Sequence, residues 1–270
     1  MKKLLRLQSK GLLTLSWVLF SWGSFSLPLL AHSHQKTTNK VYQTKIQFIP
    51  ANHHPPDRGT PPANEGTGSR GGCIEMKHQP PLTSLVGSPN LKLTTQKHPH
   101  IWVYVPYTSQ QADEGEFSLQ DGDEELLRTR FKLQGTPGIV SISLPANIPP
   151  LQVGKEYRWY LDINCPNSAA SGTLPTPASL TGLVQRVSVS SQIQQELNTA
   201  KTPLEKIGIY AKHGIWIEAL TELAQLRLQE PNNSQLRITW IEFLSAENVG
   251  LARIAQEPII GSITTSSLLK

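Results

Sequence analysis

The spacing Gly66-x-Gly68-x-x-Gly71, two residues ahead of Cys73, lets backbone amides close around a pyrophosphate in dinucleotide-binding enzymes. That chemistry needs a strand before the glycines, a helix opening at them and an acid about twenty residues on. Here a Pro-, His- and Asn-rich run precedes the glycines, and "CIEMKHQPPLTSL", with two prolines, follows them. The context is wrong for a nucleotide, so no dinucleotide and no other cofactor is expected. The pattern Gly-x-x-x-x-Gly-Lys-Ser/Thr of phosphate-binding loops does not occur.

The chain has two cysteines, Cys73 and Cys165. Cys165 closes "YRWYLDINC", in which Tyr157, Trp159, Leu161, Ile163 and Cys165 alternate onto one face and Arg158, Asp162 and Asn164 onto the other. Cys165 therefore points toward the expected core. In an oxidising compartment its expected partner is Cys73, with Gly71 and Gly72 allowing the approach; the alternative is two buried thiols. Closing a loop of about ninety residues contributes a few kcal/mol on the chain-entropy account.

Other constellations are weaker. His32, His34, His53 and His54 form a loose cluster in a run with nothing to fix a coordination geometry, and solvated histidines are the plainer account. Asp121-Gly122-Asp123-Glu124-Glu125 sits at a hairpin tip but lacks the ligand spacing of a calcium loop. Neither Gly-x-Ser-x-Gly nor His-Glu-x-x-His occurs. Glu116, Asp121, Asp162 and Glu218 form an acid–base pair only through a fold contact that spacing does not reveal. No catalytic, metal-binding or cofactor-binding residue is assigned, and an enzyme is not the expected class. Trp102 and Tyr107 are candidate surface contacts for a carbohydrate.

The elements that position these residues follow from composition and period. Lys2, Lys3, Arg6 and Lys10 precede an uncharged stretch, Gly11 to Leu30, the order of a secretory signal, with cleavage expected after Ala31. The rival is a retained membrane anchor, since twenty residues reach across a bilayer. Either course exports the rest of the chain, to the periplasm or beyond. The formal charge of +5 includes those four residues, so the remainder carries +1 and offers no electrostatic footprint for nucleic acid.

Residues 32–70 are poor in apolar side chains and are expected to be a disordered linker, except that Val41 to Ile49 has the pattern of a weak strand able to dock. Residues 71–190 carry short runs of period two, predicting strands near 82–86, 91–95, 101–105, 116–120, 126–133, 139–144, 157–165 and 182–189. Eight such strands suit an antiparallel, immunoglobulin-like β-sandwich.

From residue 191 to 258 the period becomes helical, predicting a subdomain packed on the sandwich, with residues 259–270 a flexible tail; the fold class is α+β. Thr202-Pro203-x-Glu205 opens one helix, Gly214 ends it, a second runs from Ile215 to Gln229, and a third begins at 232–234. Tyr210, Gly214, Trp216, Ala219, Leu223 and Pro231 fall at the offsets of one tetratricopeptide-like helix pair. A step of 34 residues lands on Leu244, Asn248, Arg253 and Glu257, so no array follows.

The blocks "RGGC", "LTSLV", "IWVYVPY", "EFSLQD", "PGIVSISLP", "LQVGKEYRWYLDINC", "TGLVQRV" and "YAKHGIWIEALTELAQLRLQEP" together resemble the cyanobacterial domain of unknown function 928 family, in order, across roughly residues 70–256. Ile101 departs from it, standing where an aromatic is expected beside Trp102. The resemblance implies a cyanobacterial exported protein and carries over no catalytic residue. The expected function is that of a non-enzymatic protein-binding or structural module of the cell envelope, with envelope or surface proteins as partners. The alternative is a carbohydrate- or small-ligand-binding sandwich. A membrane is a partner only if the N-terminal segment is retained.

Overall fold

The computed structural model describes residues 45–51, 79–112, 114–165, 177–263 and 265–267. All belong to one unit, Gln43–Lys270. The signal segment, most of the linker and Cys73 lie outside the described residues.

All eight strands expected between residues 80 and 190 are present: β1 (Thr83–Ser84), β2 (Leu93–Thr94), β3 (His100–Val105), β4 (Glu114–Asp121), β5 (Glu124–Lys132), β6 (Gly138–Ser143), β7 (Glu156–Asn164) and β8 (Ala178–Arg186). Four helices follow, α1 (Ser191–Thr199), α2 (Pro203–Lys212), α3 (Trp216–Gln229) and α4 (Ser234–Leu244). Contrary to the expected flexible tail, the end of the chain adds β9 (Ile259–Ser262) and β10 (Thr265–Ser267), one strand to each sheet.

The first sheet has the order β1-β3-β6-β9 and the second β10-β5-β4-β7-β8-β2. Most pairs are antiparallel, but β2 joins β8, and β9 joins β6, in parallel. Both parallel pairs lie at sheet edges and join strands far apart in sequence, a connection no tight hairpin can make. The expected all-antiparallel sandwich is corrected to that extent.

Burial follows the sequence period. Along β7, Tyr157, Trp159, Leu161 and Ile163 are buried and the residues between them half-buried or exposed. Strand β3, "HIWVYV", is apolar without alternation, and its last five residues are all buried, because both of its faces are covered. The Trp102 indole donates to Thr221 Oγ1 on α3 at 2.9 Å, so the Trp102 face of β3 looks to the helices. Ile101, Val103 and Val105 take the opposite phase, in the core shared with Phe117, Leu119 and Trp159 of the second sheet. Trp159 fits because Gly182 stands beside it on β8: a Cβ at Gly182 would lie 2.3 Å from the Trp159 ring.

Helices α1, α2 and α4, but not α3, begin where a side chain satisfies exposed amides. Thr202 Oγ1 accepts from Glu205 N, with Pro203 at the first helical position. Glu205 reaches back to the Lys201 amide at 2.6 Å. Gly214, at φ +72°, makes the left-handed turn from α2 into α3 with its Cα face against Ala51. Residues 45–51, inside the expected linker, are docked: Ile46 and Phe48 are buried, and the Phe48 ring meets Trp216 edge-on at 4.8 Å. Ile49 N donates to Ala211 O at 3.0 Å, and Asn248 Nδ2 to Phe48 O at 2.7 Å. Among the described residues of this segment no ladder forms, so it docks without being a strand.

Candidate functional site

Helix α3 buries its apolar face, yet Glu218, Thr221, Glu222 and Gln225 recur on it at offsets of three and four, forming a polar stripe. Opposite that stripe runs the connection from β2 to β3, with Gln96, His98 and His100. Together with Ile217 these residues enclose a pocket of about 240 Å³. Gln96 and Gln225 are exposed at its mouth, His98, His100 and Glu222 are half-buried, and Glu218, Thr221 and Ile217 are buried.

Glu218 is 3 % exposed. Its Oε1 accepts from Thr94 Oγ1 at 2.9 Å, Thr95 N at 2.6 Å, Thr95 Oγ1 at 2.7 Å and Gln96 N at 3.0 Å, which pins the β2–β3 connection onto α3. Its Oε2 is buried and has no hydrogen-bond partner among the described residues. Burial pushes the Glu218 carboxyl above its ordinary range against the opposing hydrogen bonds from Thr95 and Thr94. Burial also raises Glu222, with Lys206 pulling it down and the Glu218 charge pushing it up.

The histidines are held by the sheet side. His98 Nε2 lies 3.1 Å from Ile148 O; a carbonyl only accepts, so Nε2 carries a proton and donates it there. His100 Nδ1 meets Ser143 Oγ at 2.9 Å, and burial lowers the imidazole's pKa. Among the described residues no Lys or Arg lines the pocket. Among the described residues no group of three or more His, Cys, Asp or Glu is arranged to hold a metal ion.

A second concavity, about 620 Å³, lies between residues 45–49 and helices α1 and α2. Ile46, Ile49, Ala200 and Ile209 contribute apolar surface, and Lys45, Glu196, Glu205 and Lys212 contribute charge.

The residues singled out in the sequence are dispersed. Trp102 is 2 % and Tyr107 6 % exposed, so neither is the surface contact expected of it. Trp102 lies under α3, where its indole N–H is spent on Thr221. Glu116 and Asp162 stand opposite each other on β4 and β7. Glu116 is paired with Arg128 and Arg130, and Asp162 accepts from Ser179 Oγ. Burial raises the Glu116 carboxyl, but hydrogen bonds from Arg130 and Arg128 outweigh it and hold the group below its ordinary value. Asp121 at the hairpin tip pairs with Lys155, and Glu125 with Arg128.

Of the four acids named, only Glu218 enters the pocket. Cys165 is 5 % exposed at the end of β7, and no free cysteine occurs among the described residues. Cys73, the histidines of the linker and the glycines at 66, 68 and 71 lie outside them.

Residues 65–259 match the family described as Domain of Unknown Function (DUF928). The chain belongs to the DUF928 family. The match takes in the four helices, strands β1 to β8 and every residue of the pocket, so the site lies within the family's domain and not on an appendage. No curated protein and no solved structure matches the chain. His98, His100 and Glu222 were not singled out in the sequence. The available signal was a Glu-x-x-Thr-Glu-x-x-Gln stripe inside an otherwise core-facing helix, which marks a polar surface that must face something other than the core.

Proposed function

We propose that this DUF928 protein is a non-enzymatic binding module of the cyanobacterial envelope, exported by its N-terminal segment, and that it holds a small polar ligand in the pocket at Glu218. The observation that carries this reading is Glu218, which lines a pocket that opens to solvent and whose Oε2 is buried with no hydrogen-bond partner among the described residues. A buried polar group left unpaired costs free energy, and a ligand supplies the missing bond. Binding is favoured over catalysis because the polar groups at the floor are tied to the fold. Glu218 Oε1 is committed to residues 94–96 and Thr221 to Trp102, whereas a nucleophile and its base must be bonded to each other.

The test is a panel of small polar compounds scored by their shift in melting temperature, since a ligand of the native state stabilises it by mass action. A compound that shifts the wild type but not Gln225→Trp, which blocks the exposed mouth, supports the pocket. Shifts that survive the block refute it.

A protein partner is the second reading, and the groove beside residues 45–49 favours it. A Cβ at Gly208 meets no atom within 4 Å, so Gly208→Arg has room at its Cβ and places a long side chain at that groove. A partner cross-linked from the envelope fraction and lost with Gly208→Arg would establish this reading. Recovery unchanged by that substitution would remove the groove from it.

The same proposal includes the immunoglobulin-like character of the sheets and the tetratricopeptide-like character of the pair from Ile209 to Pro231. It also includes a bridge between Cys73 and Cys165. Support for the bridge is the buried, inward position of Cys165 and the signal-like N-terminus. The exported protein is expected to begin at His32 and to take up no thiol label under denaturing, non-reducing conditions. Two labels per chain would overturn the bridge, and a retained N-terminus would make the segment an anchor.

A further inference from the structure

Resting on the pocket reading above, we infer that the ligand is a small organic cation whose primary ammonium group sits between Glu218 and Glu222. Both carboxyls project from one face of α3, four residues apart, and line the same pocket. Glu218 Oε1 is fully used by Thr94, Thr95 and Gln96, which fixes the side chain and leaves Oε2 without a hydrogen-bond partner among the described residues. His98, which also lines the pocket, is held in place by donating its Nε2 proton to the Ile148 carbonyl.

Among the described residues no Lys or Arg lines the pocket to answer these carboxyls. Lys206 of α2 acts on Glu222 but is not part of the lining. An ammonium group offers three donors and a positive charge, the complement of two carboxyl groups on one wall, and its charge favours their ionised form against the burial that raises both.

Size separates an organic cation from a metal ion. The volume of about 240 Å³ holds about eight waters at the ~30 Å³ each occupies in the liquid, far more than a bare ion fills. The donor set agrees, since no three metal-ligating side chains among the described residues converge. Gln96 and Gln225 at the exposed mouth each present both a donor and an acceptor, suited to hydroxyl groups on the part of the ligand that faces water.

The experiment compares matched probes on the exported protein by calorimetry at one ionic strength and pH 7: ethanolamine against ethylene glycol, glucosamine against glucose, and magnesium chloride. Within each pair the two molecules differ chiefly by an ammonium group in place of a hydroxyl. The inference expects at least one amine to bind at least ten-fold more tightly than its neutral counterpart. It also expects that advantage to be lost in Glu222→Gln, whose side chain anchors no loop, and in Glu218→Gln, which keeps an oxygen for residues 94–96.

Equal binding of amine and neutral counterpart, abolished by Gln225→Trp, overturns the cation while leaving the pocket in place. Magnesium binding that displaces the amines overturns it in favour of a metal. No binding by any probe overturns the cation and leaves the pocket reading to its wider panel.

Discussion

At the scale of single residues, the account turns on Glu218. Its carboxyl is raised by burial, so the folded chain holds a proton that the unfolded chain releases near the ordinary carboxyl value of 4.5. The stability tied to that proton is complete below pH 4.5 and is lost as the pH rises through the elevated folded value. Glu222 behaves in the same direction, and Tyr210, pushed up to about 12 first by burial and then by the Glu222 and Glu218 charges, stays neutral throughout. Glu116 acts oppositely: its depressed carboxyl adds stability above pH 4.5 that disappears as the pH falls.

Comparing Glu218→Gln with the wild type removes the contributions the two proteins share. The substitution is expected to cost melting temperature at pH 4 and to cost less, or to gain, at pH 8. A gap independent of pH would mean that Glu218 is not protonated differently in the folded state. Glu218 was visible in the sequence as one of four acids, but its partners were not. Thr94, Thr95 and Gln96 lie more than 120 positions away, and only the packing of α3 on the β2–β3 connection brings them within reach.

At the scale of elements, alternation disclosed β7 residue by residue, and capping chemistry disclosed the starts of α2 and α4. What alternation missed were elements whose burial depends on distant neighbours. Strand β9 has only one buried residue, Gly261, and its place comes from pairing with β6 across the whole helical region. Residues 45–51 sit in a stretch whose composition reads as linker, yet Phe48 is buried against Trp216, which in turn stacks on Phe243 at 4.9 Å. Trp216 also donates from its indole to Leu85 O at 2.7 Å, joining helix, first sheet and N-terminal segment at one side chain.

Phe48→Ala is therefore expected to cost about 3 kcal/mol by cavity formation, read as a fall in the denaturant midpoint. A cost below about 1 kcal/mol would show that the segment lies on the helices without stabilising them.

At the scale of the molecule, the helices are part of the fold and not an appended repeat, because α3 covers β3 and supplies one wall of the pocket. The α+β class was legible from the change of period near Ser190. The pocket was not, since it is made where two regions of opposite period meet. Surface aromatics were the wrong place to look for a ligand: Trp102 belongs to that same junction and is consumed by it.

The central claim is that the floor of this junction receives a ligand at Glu218. Crystals of the exported protein soaked in glucosamine test it most directly. The expected result is density in the pocket with a nitrogen within hydrogen-bond distance, 2.7–3.2 Å, of Glu218 Oε2. Glucosamine bound elsewhere on the molecule, or Glu218 Oε2 bonded to a group of the protein itself, would contradict the account.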